Sequence, residues 1–205
     1  MKKVILSFAL VTGAAVAANA QSASFGIKAG ASLTNFTGKG TDGVDTKNKF
    51  GFNGGFVANF GVNDVFSIQP ELLYSMKGTK VTERSLGSGP DATITSTLHY
   101  IDVPVLAHIN AGGLFFELGP QIGFLVAAKQ KSEYNGQSDT QDVKSSIKTV
   151  DFGYAAGLGY QMPAGPGVGL RYNGGFTNID KDNNSNSALH NSAFQLYLTY
   201  MFGGK

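Results

Sequence analysis

Cysteine and tryptophan are both absent from the 205 residues. Without cysteine no disulfide can form, so a chain exported to an oxidising compartment must rely on packing and strand pairing. Charge is scarce as well: Asp, Glu, Lys and Arg make up 15% of the residues, where ~25% is usual. Beyond the N-terminus no run approaches the roughly 18 apolar residues of a membrane-spanning helix, which excludes an α-helical membrane protein. A membrane β-barrel passes the same test, because alternation hides its hydrophobicity from running averages. Glycine, by contrast, fills 28 positions, about twice its usual share of roughly 7%.

Residues 1–20 read as an export signal. Lys2 and Lys3 form its positive end, residues 4–18 its apolar core, and Ala18-Asn19-Ala20 a small-x-small cleavage site. Cleavage there leaves one domain, 21–205. No cysteine follows the site, so a lipid-anchored lipoprotein is excluded. Losing Lys2 and Lys3 takes the 16 basic residues to 14, level with the 14 acidic ones. The basic pI belongs to the precursor, and nucleic-acid binding loses its electrostatic support.

The stretch 114–128 is the clearest element. Leu114, Phe116, Leu118, Pro120, Ile122, Phe124, Val126 and Ala128 lie on one face of an extended chain, with Glu117, Gly119, Gln121 and Gly123 on the other. Its 15 residues exceed the roughly 5–6 of a typical soluble strand and suit a tilted bilayer crossing of about 9–11 residues. Similar alternation predicts strands over 24–36, 50–62, 66–77, 97–109, 150–162, 167–178 and 193–202. Long polar connections at 37–49, 79–96, 130–149 and 179–192 alternate with short turns at 63–64, 110–113 and 163–166. An even count of eight strands, with short turns at one end and long loops at the other, predicts an all-β, antiparallel up-and-down transmembrane barrel of the Gram-negative outer membrane. Both termini are then periplasmic and the long loops extracellular.

Phe, Tyr, Leu and Val dominate one face, while glycine and polar residues fill the other. Eight strands enclose a narrow interior that side chains nearly fill, so the small and polar face belongs inside. Aromatic residues gather near strand ends, as interfacial girdles require. A soluble lipocalin-like barrel inverts this arrangement, but its outer face needs more charge than these strands carry. Lys28, Glu71, Glu117 and Arg171 then point inward at similar depth. A charge in a narrow interior is costly unless paired. Across the ring Lys28 can meet Glu117 and Arg171 can meet Glu71, with Lys77, Asp102, Gln121 and Asp151 extending the network outward. The expectation is a closed, salt-bridged lumen whose charges fill space and lock register. Pro70, Pro104 and Pro120 each remove a ladder donor within a strand, which predicts bulges.

Several stretches resemble the PorT-like outer-membrane β-barrel family of Bacteroidota, one of the porin-like barrel groups. They are Phe66-Ser-Ile-Gln-Pro-Glu-Leu-Leu-Tyr-Ser-Met-Lys-Gly78, Tyr100-Ile-Asp-Val-Pro-Val-Leu106, Glu117-Leu-Gly-Pro-Gln-Ile-Gly-Phe124 and Gly169-Leu-Arg-Tyr-Asn-Gly174. The resemblance covers about 25–202 and implies a barrel whose three strand prolines are family features. It also implies a link to gliding or protein secretion, the role of the founding member. The barrel-assembly machinery would read a terminal aromatic during insertion. Here Gly203-Gly-Lys205 follows Phe202, a slight departure from that ending.

Catalysis would need a nucleophile, a base and an orienting group in contact. His99, His108 and His190 are scattered, and only His190 has serines (Ser187, Ser192) nearby in sequence. Acyl processing of membrane lipids is the alternative of a different class, and a narrow channel a third. No catalytic residue, metal ligand or cofactor site is expected. Asp180-Lys-Asp182 lacks the ligand run of a calcium loop, Gly51-Phe-Asn-Gly-Gly55 carries phenylalanine at strand spacing, and wide pores need about 16–18 strands. The expected partners are outer-membrane lipids, the assembly machinery, and an extracellular or periplasmic protein reached through the loops or an envelope assembly.

Overall fold

Residues 22–83, 92–181 and 188–202 are described by the computed structural model. The export signal, the centres of two long loops and the tail after Phe202 lie outside them. The strands are β1 (Ser22–Thr37), β2 (Thr46–Gly61), β3 (Phe66–Glu83), β4 (Ala92–Ala111), β5 (Leu114–Tyr134), β6 (Gln137–Asp142), β7 (Val150–Gln161), β8 (Pro166–Gly175) and β9 (His190–Phe202), with 3-10 turns at Lys39–Thr41 and Lys144–Ser146. All neighbours are antiparallel. Eight strands, β1 to β5 and β7 to β9, close a ring, because β1 pairs with both β2 and β9 and β5 pairs with both β4 and β7.

Closure follows from the alternation. Phe56, Leu118 and Leu198 are 67%, 60% and 64% exposed, whereas Lys28, Glu71 and Arg171 are 2–3% exposed. Apolar outside and charged inside is the arrangement of a barrel in lipid, and it removes the lipocalin-like alternative. A ring this small bends its strands hard. A Cβ added at inward Gly55 would sit 2.0 Å from the Leu72 carbonyl oxygen, and one at Gly119 2.1 Å from that of Val105. Glycine at these positions is therefore a condition of the curvature.

The strand prolines differ from expectation. No register shift occurs at Pro70, Pro104 or Pro120. Pairing is interrupted instead: the β2–β3 ladder passes from Val57↔Glu71 to Phe60↔Ile68, β3–β4 from Pro70↔Val105 to Leu73↔Asp102, and β4–β5 from Pro104↔Gln121 to Ala107↔Leu118, each with unchanged register. A missing donor opens the ladder for two residues without adding one. The shifts fall elsewhere, between Asn48 and Asn53 and between His99 and Tyr100. The second one reverses the parity of β5, so Ala128, expected on the lipid face, is fully buried.

The connections also differ. Much of 79–96 and 130–149 is strand, with β3, β4 and β5 running on above the apolar belt. Asn135 and Gly136, at φ 51° and 75°, make a two-residue hairpin turn of the type favoured by Asn-Gly. That turn carries β6 back along the top of β5, from Tyr134↔Gln137 to Lys129↔Asp142. The wall is therefore tall over β2 to β6 and low over β7, β8 and β9.

Candidate functional site

The inward positions of the ring build two charged layers and an apolar cap. In the lower layer Arg171, on β8, grips two carboxylates. Its Nη1 and Nη2 donate to Glu71 Oε2 and Oε1 at 2.7 and 2.9 Å, and its Nε and Nη2 donate to Glu117 Oε1 and Oε2 at 2.6 and 2.8 Å. Lys28 Nζ donates to Glu71 Oε1 at 2.6 Å. Lys28 thus meets Glu71, reaching β3 past Gly55, which stands opposite it on the intervening β2, rather than Glu117 across the ring. Two cations face two carboxylates, and the layer is formally neutral. Tyr197 completes it: its hydroxyl donates to Glu117 Oε1 at 2.8 Å, and its ring lies 3.9 Å from Lys28 Nζ. Gln69 Nε2 donates to Glu71 Oε1 at 2.9 Å.

Glycines make room for these bulky groups. A Cβ at Gly169 would lie 2.4 Å from the Tyr197 ring, and one at Gly159 2.4 Å from that of Phe115. Phe115 stacks on His108 with centroids 4.5 Å apart.

The upper layer centres on Lys77, whose Nζ donates to Asp102 Oδ1 at 3.0 Å and lies 3.8 Å from Asp151 Oδ2. Its ammonium sits 4.6 Å from the Tyr100 ring centroid. Asn191 Nδ2 donates to Asp151 Oδ2 at 2.8 Å and to the Tyr100 hydroxyl at 3.3 Å. Gln121, Asp151, Asn173 and Asn191 border a cavity of about 10 Å³, room for about one water molecule.

Above this layer the interior turns apolar. Phe36, Leu98, Tyr100, Leu125, Ala128 and Ile179 form a buried cluster against which Val143, Ile147 and Leu189 pack. Main-chain bonds hold the covering segments: Lys148 N–H to Ile179 O at 2.8 Å, Ile179 N–H to Leu189 O at 2.8 Å, and Lys181 N–H to Ser146 O at 3.1 Å.

All eight residues expected inside, Lys28, Glu71, Lys77, Asp102, Glu117, Gln121, Asp151 and Arg171, are buried. Seven of them form the two ion-paired layers, and Gln121 lines the cavity. Sequence reasoning missed the roles of Tyr197 and Tyr100, although inward aromatic residues among small ones were the available signal. It also missed the cap, because Ile179 and Leu189 stand alone in polar segments. The histidines lie apart from one another in their contacts. His99 Nδ1 bonds the Tyr74 hydroxyl on the lipid face at 2.5 Å. His190, expected in a loop, opens β9 and its Nδ1 lies 2.9 Å from Thr177 O. Among the described residues no three His, Asp or Glu side chains are grouped to hold a metal ion.

A closed ring of eight antiparallel strands, apolar outside and ion-paired inside, defines the class: a small transmembrane barrel. Residues 19–181 match the family described as "Outer membrane protein beta-barrel domain". The chain belongs to that family, and it is an outer-membrane protein that contacts the lipids of that membrane. No curated protein matches the sequence. Solved structures similar to it include Ail, the attachment invasion locus protein of Yersinia pestis, at 16% identity over 89% of this chain and 100% of that one, with a TM-score of 0.48. Neisserial surface protein A is similar at 15% identity, 89% and 100% coverage, and a TM-score of 0.45. OprG from Pseudomonas aeruginosa is similar at 8% identity, 90% and 98% coverage, and a TM-score of 0.38.

Proposed function

We propose that this protein is a non-conducting membrane anchor that presents an extracellular β-sheet to a partner. One observation carries the reading: along the lumen, two ion-paired layers and an apolar cap lie in series. A permeating ion would have to displace Arg171 from two carboxylates and then cross a dry cluster, against desolvation of several kcal/mol per ion. Function then belongs to the outer surface, where β2 to β6 rise above the apolar belt. The four motif stretches that resemble PorT-like barrels support a finer reading, in which the partner belongs to a secretion or envelope assembly of a Bacteroidota cell. Export through a signal cleaved after Ala20, and insertion by the barrel-assembly machinery through the terminal aromatic Phe202, complete the proposal.

The test pairs heat-modifiable gel mobility with planar-bilayer conductance on one preparation. A mobility shift on boiling without conductance is expected. Steady conductance through the wild-type barrel would make this a narrow pore and end the anchor reading. Site-specific cross-linking from β6 in intact cells then identifies the partner.

A further inference from the structure

Cross-strand register places lysines in a row on the outer face of the tall wall. Lys47 lies opposite Lys80, Lys80 opposite Thr95, Thr95 opposite Lys131, and Lys131 opposite Thr140. Directly opposed residues share a face, and strands stand ~4.8 Å apart. Lys47 and Lys80 are thus neighbours, with Lys131 about 10 Å beyond Lys80. One row nearer the apolar belt stands Lys129 on β5, and three strands away on β2 Lys49 has its Nζ 3.2 Å from Met76 Sδ and 3.3 Å from Phe50 O. Among the described acids near this surface, Glu133 bonds Lys131 at 2.9 Å, Asp142 lies opposite Lys129, and Asp45 stands two residues before Lys47. None lies directly opposite Lys47 or Lys80 in the register, although Glu133 is within electrostatic reach of Lys80. Like charges directly opposed in a sheet are unfavourable, and this pair is exposed to whatever layer surrounds it.

The height of the row identifies that layer. Lys80 follows Tyr74 and Met76 in the same outward register, four residues beyond Met76, or at most ~13 Å along the strand. Tyr74 stacks with Phe52 and His99, at centroid distances of 5.6 and 5.8 Å, in an aromatic belt of the kind that marks the bilayer edge. The lysines therefore stand at headgroup level, directly above an apolar wall carrying Phe50, Phe52, Phe56 and Leu72.

We infer that Lys47, Lys80 and Lys131 form a binding site for the phosphate of an outer-leaflet glycolipid headgroup, with Lys49 and Lys129 at its lower edge. Two ammonium groups on neighbouring strands can donate to one tetrahedral dianion, which relieves their repulsion. A lipid suits the site better than a free anion because its acyl chains lie on the wall beneath. The inference rests on the membrane-inserted orientation proposed above, with the tall wall outward.

The test uses the full barrel refolded in a zwitterionic detergent and native mass spectrometry of lipid adducts. Diphosphoryl lipid A, dephosphorylated lipid A and inorganic phosphate serve as probes. One retained diphosphoryl lipid A per barrel is expected, with at least tenfold weaker retention of the dephosphorylated form and of K47Q/K80Q. K47R/K80R should retain binding, and K39Q/K181Q should match the wild type. Equal retention of the two lipid forms, an unaffected K47Q/K80Q, or inorganic phosphate bound as tightly as the lipid would each overturn the inference. Heat-modifiable mobility of the same samples separates the failures. Its loss in the wild type means that no barrel formed and the parent reading falls, whereas its retention with no phosphate preference removes the lipid site alone.

Discussion

Arg171 is the residue on which the lower lumen turns, since one guanidinium satisfies four carboxylate oxygens. Replacing it with methionine leaves Glu71 and Glu117 buried with Lys28 alone. Breaking a buried pair in this way typically loses about 3–5 kcal/mol, so R171M should unfold at markedly lower urea concentration in micelles. K28M should be milder, because Arg171 still bonds both oxygens of Glu71. A double variant, R171M with E117Q, should recover much of the loss, because it leaves the Lys28–Glu71 pair as a neutral layer. A second contrast involves adjacent glycines on opposite faces of β2. A Cβ at Gly54 has its nearest neighbour at 3.4 Å, whereas at Gly55 it meets the Leu72 carbonyl at 2.0 Å. G54A should keep the heat-modifiable band and G55A should lose it.

At the scale of the element, the strands within the bilayer were legible because two solvents act on them. Lipid outside and a packed interior inside impose alternation, so Phe25, Phe56, Leu118 and Leu198 reveal their faces unaided. Beyond the membrane that contrast vanishes. Residues 79–83, 92–96 and 129–142 carry polar side chains on both faces, so they read as loop although the ladder continues through them. The Asn135-Gly136 pair was the missed signal for the hairpin. Among the charges, burial followed from parity, but the partner of Lys28 depends on how far its side chain reaches past Gly55 toward β3, which spacing does not encode. The prolines teach a related lesson: a missing donor can be absorbed as an open stretch of ladder as well as by a bulge. The amides of Ala58, Glu71 and Val105, which stand opposite Pro70, Pro104 and Pro120 in these openings, should exchange with deuterium sooner than those of Phe56 or Ile101, as NMR of the barrel in nanodiscs would record.

For the whole molecule, orientation is the property that matters most. A short epitope inserted between Asn135 and Gly136, at the tip of the tall wall, should be stained by antibody on intact cells. The same epitope between Gly112 and Gly113 should become accessible only after the outer membrane is opened. The reverse pattern would turn the barrel over and move the functional surface to the periplasm. Such an experiment also bears on a geometric fact with wider reach. Because β2 to β6 rise on one side only, the molecule is not a cylinder but has a front and a back in the membrane plane. A neighbour approaching from the β8 side finds an apolar wall whose strand ends at Gly175, while one approaching from the β4 side meets a raised, lysine-bearing screen. In a crowded membrane the protein would act as a directional tile, with its rotation about the membrane normal deciding which neighbours it admits.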